Sequence, residues 1–290
     1  MDPLKFVVHK KSLIFFTIFT LCFLSFLFYP NDHSDIKPIK TSLSQKPNID
    51  NVKGKPNNVI QPNEKKNSPK QLVICIDPGH QEKANTALEP LGPGSSVMKI
   101  KVAGGTTGVV TKKPEYILSL EASLKLGEIL KKSGYKVIFT RTTNNVNLSN
   151  KERAEIANKN HADLFIRIHA DGSNDQSTNG FSVLTPSVDN LYIPSLYKDS
   201  LLASQNIIEE VKNEQSTNVK GISYRDDLTG FNWSKVPVTL IELGFMTNPE
   251  EDRKLSDQNY LTNLLMKIAD GIDRYRSNVI DDSSTINISK

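Results

Sequence analysis

Short apolar runs alternate along this chain with helix-length stretches, and that alternation limits its fold more than any other feature. Residues 71–76, 136–140, 163–168, 180–185 and 237–242 read as strands, and 114–133, 149–160, 196–212 and 257–276 as helices. In the first helix Ile117, Leu120 and Leu124 recur at three- and four-residue steps, with Pro114 at its start and Gly134 at its stop. Ser149 with Glu152 three residues on is a capping-box signature for the second. The pattern predicts an α/β domain with a central, mostly parallel (mixed) sheet flanked by helices on both faces. Ligands in such sheets gather at the carboxyl ends of strands. His80, His169 and Glu242 all stand there.

The N-terminal part is of a different kind. Lys5, Lys10 and Lys11 precede an uncharged stretch, 12–29, rich in Phe, Leu and Ile. As a helix it spans about 27 Å, close to the hydrocarbon thickness of a bilayer. The lysines predict a cytoplasmic N-terminus and an exported remainder. No small-x-small site follows the apolar run, so residues 1–30 read as an uncleaved membrane anchor rather than a cleaved signal sequence. Residues 31–70 are rich in Asn, Lys, Pro and Ser and read as a disordered linker reaching about 35 Å. The expected organisation is then a compact domain over 71–276 and a flexible tail over 277–290. The expected location is the cell membrane, single-pass with the domain outside the cytoplasm, or the cell wall if the segment is cleaved.

Composition removes several function classes. The chain has 36 Lys and Arg against 32 Asp and Glu, and the basic excess lies in the first seventy residues. The remainder is slightly acidic, which argues against nucleic acid as a partner. Two cysteines, Cys22 and Cys75, build neither a disulfide framework nor a cysteine zinc site. No HExxH helix, nucleophile elbow or phosphate loop is present.

The histidines carry the chemistry. His80 follows Asp77, Pro78 and Gly79, which fix a tight turn, and His169 ends a run otherwise fit for a sheet core. Either alone reads as structural, but two at strand C-termini of one domain point to a shared metal site. His161 sits at a helix end, where a cationic ring is tolerated, and reads as structural. A two-histidine site wants a carboxylate as third ligand. Glu115, Glu121, Asp77 and Asp171 all remain candidates on the residues alone, with Asp77 and Asp171 also able to orient an imidazole. Glu242 interrupts an apolar strand end, an environment that raises a carboxyl pKa as a general base and acid requires. Its bland alternative is a buried ion pair with Arg225 or Arg141.

Taken in order, these motifs resemble the zinc-dependent N-acetylmuramoyl-L-alanine amidases of bacterial cell walls. The segments are IDPGH at 76–80, PE at 114–115 before LKL at 124–126, and GYKVIFTR at 134–141. NKERA at 150–154, ADLFIRIHAD at 162–171 and ELGFMTN at 242–248 complete the set. Each is weak alone; together, in this order, they are specific over about 72–276. The resemblance implies that His80, Glu115 and His169 bind Zn2+ and that Glu242 is the catalytic acid/base. It implies peptidoglycan as substrate, cut between the lactyl group of N-acetylmuramic acid and L-alanine. A protein activator and the membrane, through the N-terminal helix, are the other expected partners. The chain departs from the family's pattern at Asp171, where many members have Asn, and in the long 81–114 stretch, expected to be a flexible loop near the site.

Overall fold

A computed structural model describes residues 71–288 except residue 215. The first strand, β1 (Val73–Pro78), is followed by β2 (Asn85–Pro90) and β3 (Met98–Val102), then by α1 (Glu115–Lys132) and β4 (Lys136–Phe139). Next come α2 (Asn150–Lys159), β5 (Leu164–Asp171), β6 (Phe181–Pro186), α3 (Tyr197–Lys212) and β7 (Val219–Arg225). The chain continues through α4 (Thr229–Asn232), β8 (Val238–Phe245), α5 (Pro249–Ser256) and α6 (Gln258–Ile288).

Six strands form one sheet in the order β4-β1-β5-β8-β6-β7. All neighbours are parallel except β6 and β8, which run antiparallel. The mixed, mostly parallel sheet expected from the strand–helix alternation is therefore present. Side chains alternate between its faces, as strand geometry requires. Ile74, Ile76, Leu164, Ile166, Ile168 and Ile241 belong to the core shared with α1, α3 and α6. Cys75, Phe165, Val238 and Leu240 belong to a second core, with Ala154 and Ala157 of α2 and Phe231 of α4. His169 and Glu242 have the parity of this second face.

Local signals were read correctly where they are chemical. Ser149 accepts from the Glu152 backbone N–H while the Glu152 carboxylate accepts from the Ser149 N–H, closing both halves of the capping box. Pro114 precedes α1, and Gly134 ends it with a φ of 88°.

Three expectations are corrected. The 81–114 stretch is not simply a loop: β2 and β3 pair as an antiparallel hairpin. Its polar and apolar residues alternate too irregularly for the strands to stand out. The tail predicted to loosen after 276 is helical through Ile288, since no Gly or Pro interrupts 277–288. The third correction concerns location. Among the described residues no helix is long and apolar enough to cross a membrane, and single-pass membrane localisation is withdrawn. Even α6 carries Lys267, Asp270, Asp273, Arg274 and Arg276 along its length. The stretch 12–29 on which that expectation rested, and the linker 31–70, lie outside the described residues.

Candidate metal centre and active site

Three chain segments deliver ligands to one point. His80 follows β1, Glu115 opens α1, and His169 stands near the end of β5. His80 Nε2 lies 3.1 Å from Glu115 Oε1 and 3.2 Å from His169 Nδ1, and His169 Nδ1 lies 3.1 Å from Glu115 Oε1. The two imidazoles meet edge to face, with centroids 4.8 Å apart. Among the described residues this is the group whose ligand atoms converge closely enough to hold a metal ion. Glu121, the rival carboxylate, faces away and pairs with Lys113 at 2.7 Å.

Backbone groups hold each ligand in place. His80 Nδ1 is 2.8 Å from the Ala103 carbonyl, which fixes the ring as an Nδ1–H donor and leaves the Nε2 lone pair toward the cluster. Glu115 accepts from the backbone N–H of Thr106 at 2.9 Å and of Ala170 at 3.1 Å. Gly79 has no side chain because the His169 ring occupies the space: a Cβ there would overlap it.

The turn at 78–80 is held from beneath. Arg141 donates to the carbonyls of Pro78 (3.0 Å) and Gly79 (2.8 Å), and Arg153 to those of Pro78 (2.8 Å) and His80 (2.9 Å). These contacts hold His80 at a φ of 56°, which a non-glycine residue adopts only under constraint. Asp77 does not orient an imidazole. It is fully buried and pairs with Arg153 at 2.8 Å and Arg167 at 2.9 Å, with a further hydrogen bond from Thr140. Sequence reasoning missed Arg141 and Arg153 as supports of the site. Their only sequence signal was that GYKVIFTR and NKERA each end in or contain an arginine after an apolar or capping pattern.

Electrostatics prepare the groups for a cation. Burial alone would raise the Glu115 carboxyl, yet hydrogen bonds to His169 and His80 hold it well below the usual carboxylate range. Burial pushes the His169 imidazole down to about 4, against the pull of Glu115. Near neutrality the site thus offers an ionised carboxylate and, at His169, a neutral imidazole, the states metal coordination needs.

Glu242 lies beside this cluster without joining it. Burial raises its carboxyl well above the ordinary value, and the charges of Glu115 and Asp171 add to the effect against Arg167 and Arg225. Neither arginine suspected from the sequence pairs with it: Arg225 binds Asp227, and Arg141 binds the turn carbonyls. Glu242 Oε2 is buried with no hydrogen-bond partner. Two cavities of about 460 and 360 Å3 meet at His80, His169 and Glu242. Asp171 lines the larger one, and its carboxylate accepts from the Gly172 N–H at 2.7 Å.

Against known proteins, residues 74–274 match the family model described as N-acetylmuramoyl-L-alanine amidase. The chain belongs to this family. It is a peptidoglycan amidase. Among its relatives is the N-acetylmuramoyl-L-alanine amidase Rv3717 of Mycobacterium tuberculosis, 26% identical over 216 residues, which cover 72% of this chain and 83% of that protein. The amidase is also similar in fold to the crystal structure of the N-acetylmuramyl-L-alanine amidase Ami1 from Mycobacterium smegmatis. There the TM-score is 0.64 at 23% identity, over 71% of this chain and 97% of the other. The CwlD amidase from Clostridioides difficile, solved in complex with the GerS lipoprotein, matches with a TM-score of 0.57 at 25% identity, over 71% of this chain and 99% of that one.

Proposed function

We propose that His80, Glu115 and His169 hold a zinc ion and that Glu242 is the general base and acid of amide hydrolysis, in a catalytic unit spanning 71–276. Zinc bonds to nitrogen and oxygen of about 2.0–2.1 Å at tetrahedral angles set neighbouring ligand atoms roughly 3.3 Å apart. The three ligand atoms are separated by 3.1 to 3.2 Å. Three protein ligands leave a fourth position open, the pattern of a catalytic rather than a structural site. The observation that carries the reading is the unpartnered Oε2 of Glu242, buried in the cavities that the two candidate histidine ligands also line.

A zinc ion held by His80, Glu115 and His169 would supply Lewis acidity, which lowers the pKa of a water from 15.7 toward about 7 and polarises an amide carbonyl. Glu242, as the carboxylate, takes a proton from the attacking water at its free oxygen. The carbon–nitrogen bond between the lactyl carbonyl and L-alanine then breaks, and Glu242 returns the proton to the departing nitrogen. The products are a lactyl carboxylate on the sugar and a peptide with a new amino terminus. Glu115, anchored by two backbone N–H groups, stays ionised throughout and keeps the histidines in place.

The test is hydrolysis of isolated peptidoglycan by the purified protein, following new amino termini with and without a chelator. New N-terminal alanine that disappears with chelator and returns with zinc is the expected result. A different new terminus would mean a peptidase acting within the stem, and absence of both metal and cleavage would mean an inactive wall-binding scaffold.

A further inference from the structure

The two cavities that meet at the candidate metal centre carry opposite charge. The larger is lined by Glu115, Asp171 and Glu242 with no lysine or arginine, and by hydroxyl and amide groups such as Thr106, Ser173 and Asn174. The smaller is lined by Lys99, Arg167 and Arg225 against Asp227 and Glu242, over an apolar floor that includes Ile100, Leu184 and Leu240. Arg167 is committed to Asp77 and Asn150, at 2.9 and 2.6 Å. Lys99 and Arg225 share one partner, Asp227, and unlike Arg167 both are partly exposed.

Arg225 makes a bidentate pair with Asp227, from Nε at 2.7 Å and Nη2 at 3.0 Å, and Lys99 stands 3.6 Å from the same carboxylate. Two cations on one anion leave a net positive charge. A guanidinium has five N–H donors, and Asp227 takes two. All three side chains are partly exposed, so the remaining donors are available to a ligand in the cavity. Structurally the trio ties the hairpin to the end of β7. That role alone would be met by a single neutralised pair.

We infer that this cavity is the subsite for the stem peptide and that Arg225 and Lys99 bind the free carboxylate of the residue that follows L-alanine. This rests on the amidase reading above. Stem peptides continue from L-alanine with an acidic residue whose α-carboxylate is either free or amidated. In an extended chain two residues reach about 7 Å, so that carboxylate lies well beyond the scissile bond, and one cavity is lined both by His80, His169 and Glu242 and by Lys99 and Arg225. The hydroxyl- and amide-lined cavity then takes the glycan. Arg225 suits the role better than a lysine alone, because its planar fork matches a carboxylate.

The experiment compares kcat/KM of the full chain on soluble glycan–peptide fragments in which that second residue bears a free carboxylate or an amide. The wild type is expected to favour the carboxylate by about tenfold, mainly through KM, the scale of one charge-assisted contact. Arg225→Gln should bring the ratio close to one, Lys99→Gln should lower it, and Asp227→Asn should raise it by freeing both cations. Equal rates in the wild type, or an unchanged ratio in Arg225→Gln, overturn the subsite while leaving the amidase activity standing. No new N-terminal alanine from either fragment would instead sink the amidase reading, and the subsite with it.

Discussion

His169 and Glu242 occupy the same register position on the neighbouring parallel strands β5 and β8. Sheet geometry therefore fixes the separation of a candidate ligand and a candidate base, independent of any loop. Strand neighbours lie about 4.8 Å apart, which seats the two side chains on one face with room for a small molecule above them. Each keeps one buried polar atom without a partner, Nε2 of His169 and Oε2 of Glu242. Such atoms are costly unless function uses them.

Replacing Glu242 with Gln should lower turnover by about two to four orders of magnitude, the usual worth of a general acid–base group. The metal content should not change, because Glu242 is not among the clustered ligands. Metal analysis beside the rate on peptidoglycan checks this; near-normal turnover would remove Glu242 from the chemistry.

His169→Ala should abolish stoichiometric zinc binding. In the unaltered protein, zinc at a thousandfold over its Kd should stabilise the fold by about 4 kcal/mol, and chelation should reverse the gain. Thermal unfolding with zinc or chelator reads both effects, and a variant that still gains stability from zinc would contradict the ligand set.

Gly79→Ala should damage the metal site more than the fold. The added methyl overlaps the His169 ring, so the ring must move out of line with Glu115 and His80. Zinc affinity is expected to fall by tenfold or more while the far-ultraviolet circular dichroism stays the same. Unchanged affinity would show that the ring can shift without cost.

Asp77→Asn should cost about 3–5 kcal/mol, since it leaves the buried Arg153 and Arg167 without a counter-charge. Urea unfolding measures it directly. A loss under 1 kcal/mol would mean that water reaches the network.

Acid should destabilise the metal-free protein in a defined window. Unfolded His169 takes its proton near 6.5, whereas the folded site resists protonation down to about 4. Between these values the unfolded chain binds more protons, so stability falls as pH falls through them. Glu115 acts with the same sign: its stabilisation is present above its ordinary value of 4.5 and is lost below it. Because the raised Glu242 carboxyl takes up its proton with the opposite sign, the urea midpoints are read in Glu242→Gln, where they should decline steadily from pH 7 to 4 without metal. A flat profile would contradict the burial of His169.

The legible part of this molecule was the part where periodicity and chemistry coincide. Strand ends with a histidine or glutamate, a capping pair at Ser149 and Glu152, and the Pro114 helix start all read directly from residue type. The β2–β3 hairpin did not, because half-exposed strands lack the apolar runs that buried ones require. Nor did β7, whose residues are mostly exposed or half-buried. At the site, side-chain ligands were nameable, but their backbone supports were not. The Ala103 carbonyl and the Thr106 and Ala170 N–H groups carry no side-chain signature, and only the folded chain brings them to His80 and Glu115.

The two guanidinium groups beneath the 78–80 turn have a thermodynamic consequence. With three successive carbonyls already pinned, the loop has little freedom left to surrender when an ion arrives. Capture of the metal should therefore show a small entropic penalty and almost no change in heat capacity. The seat is built during folding, and the ion is a late arrival to a place already set.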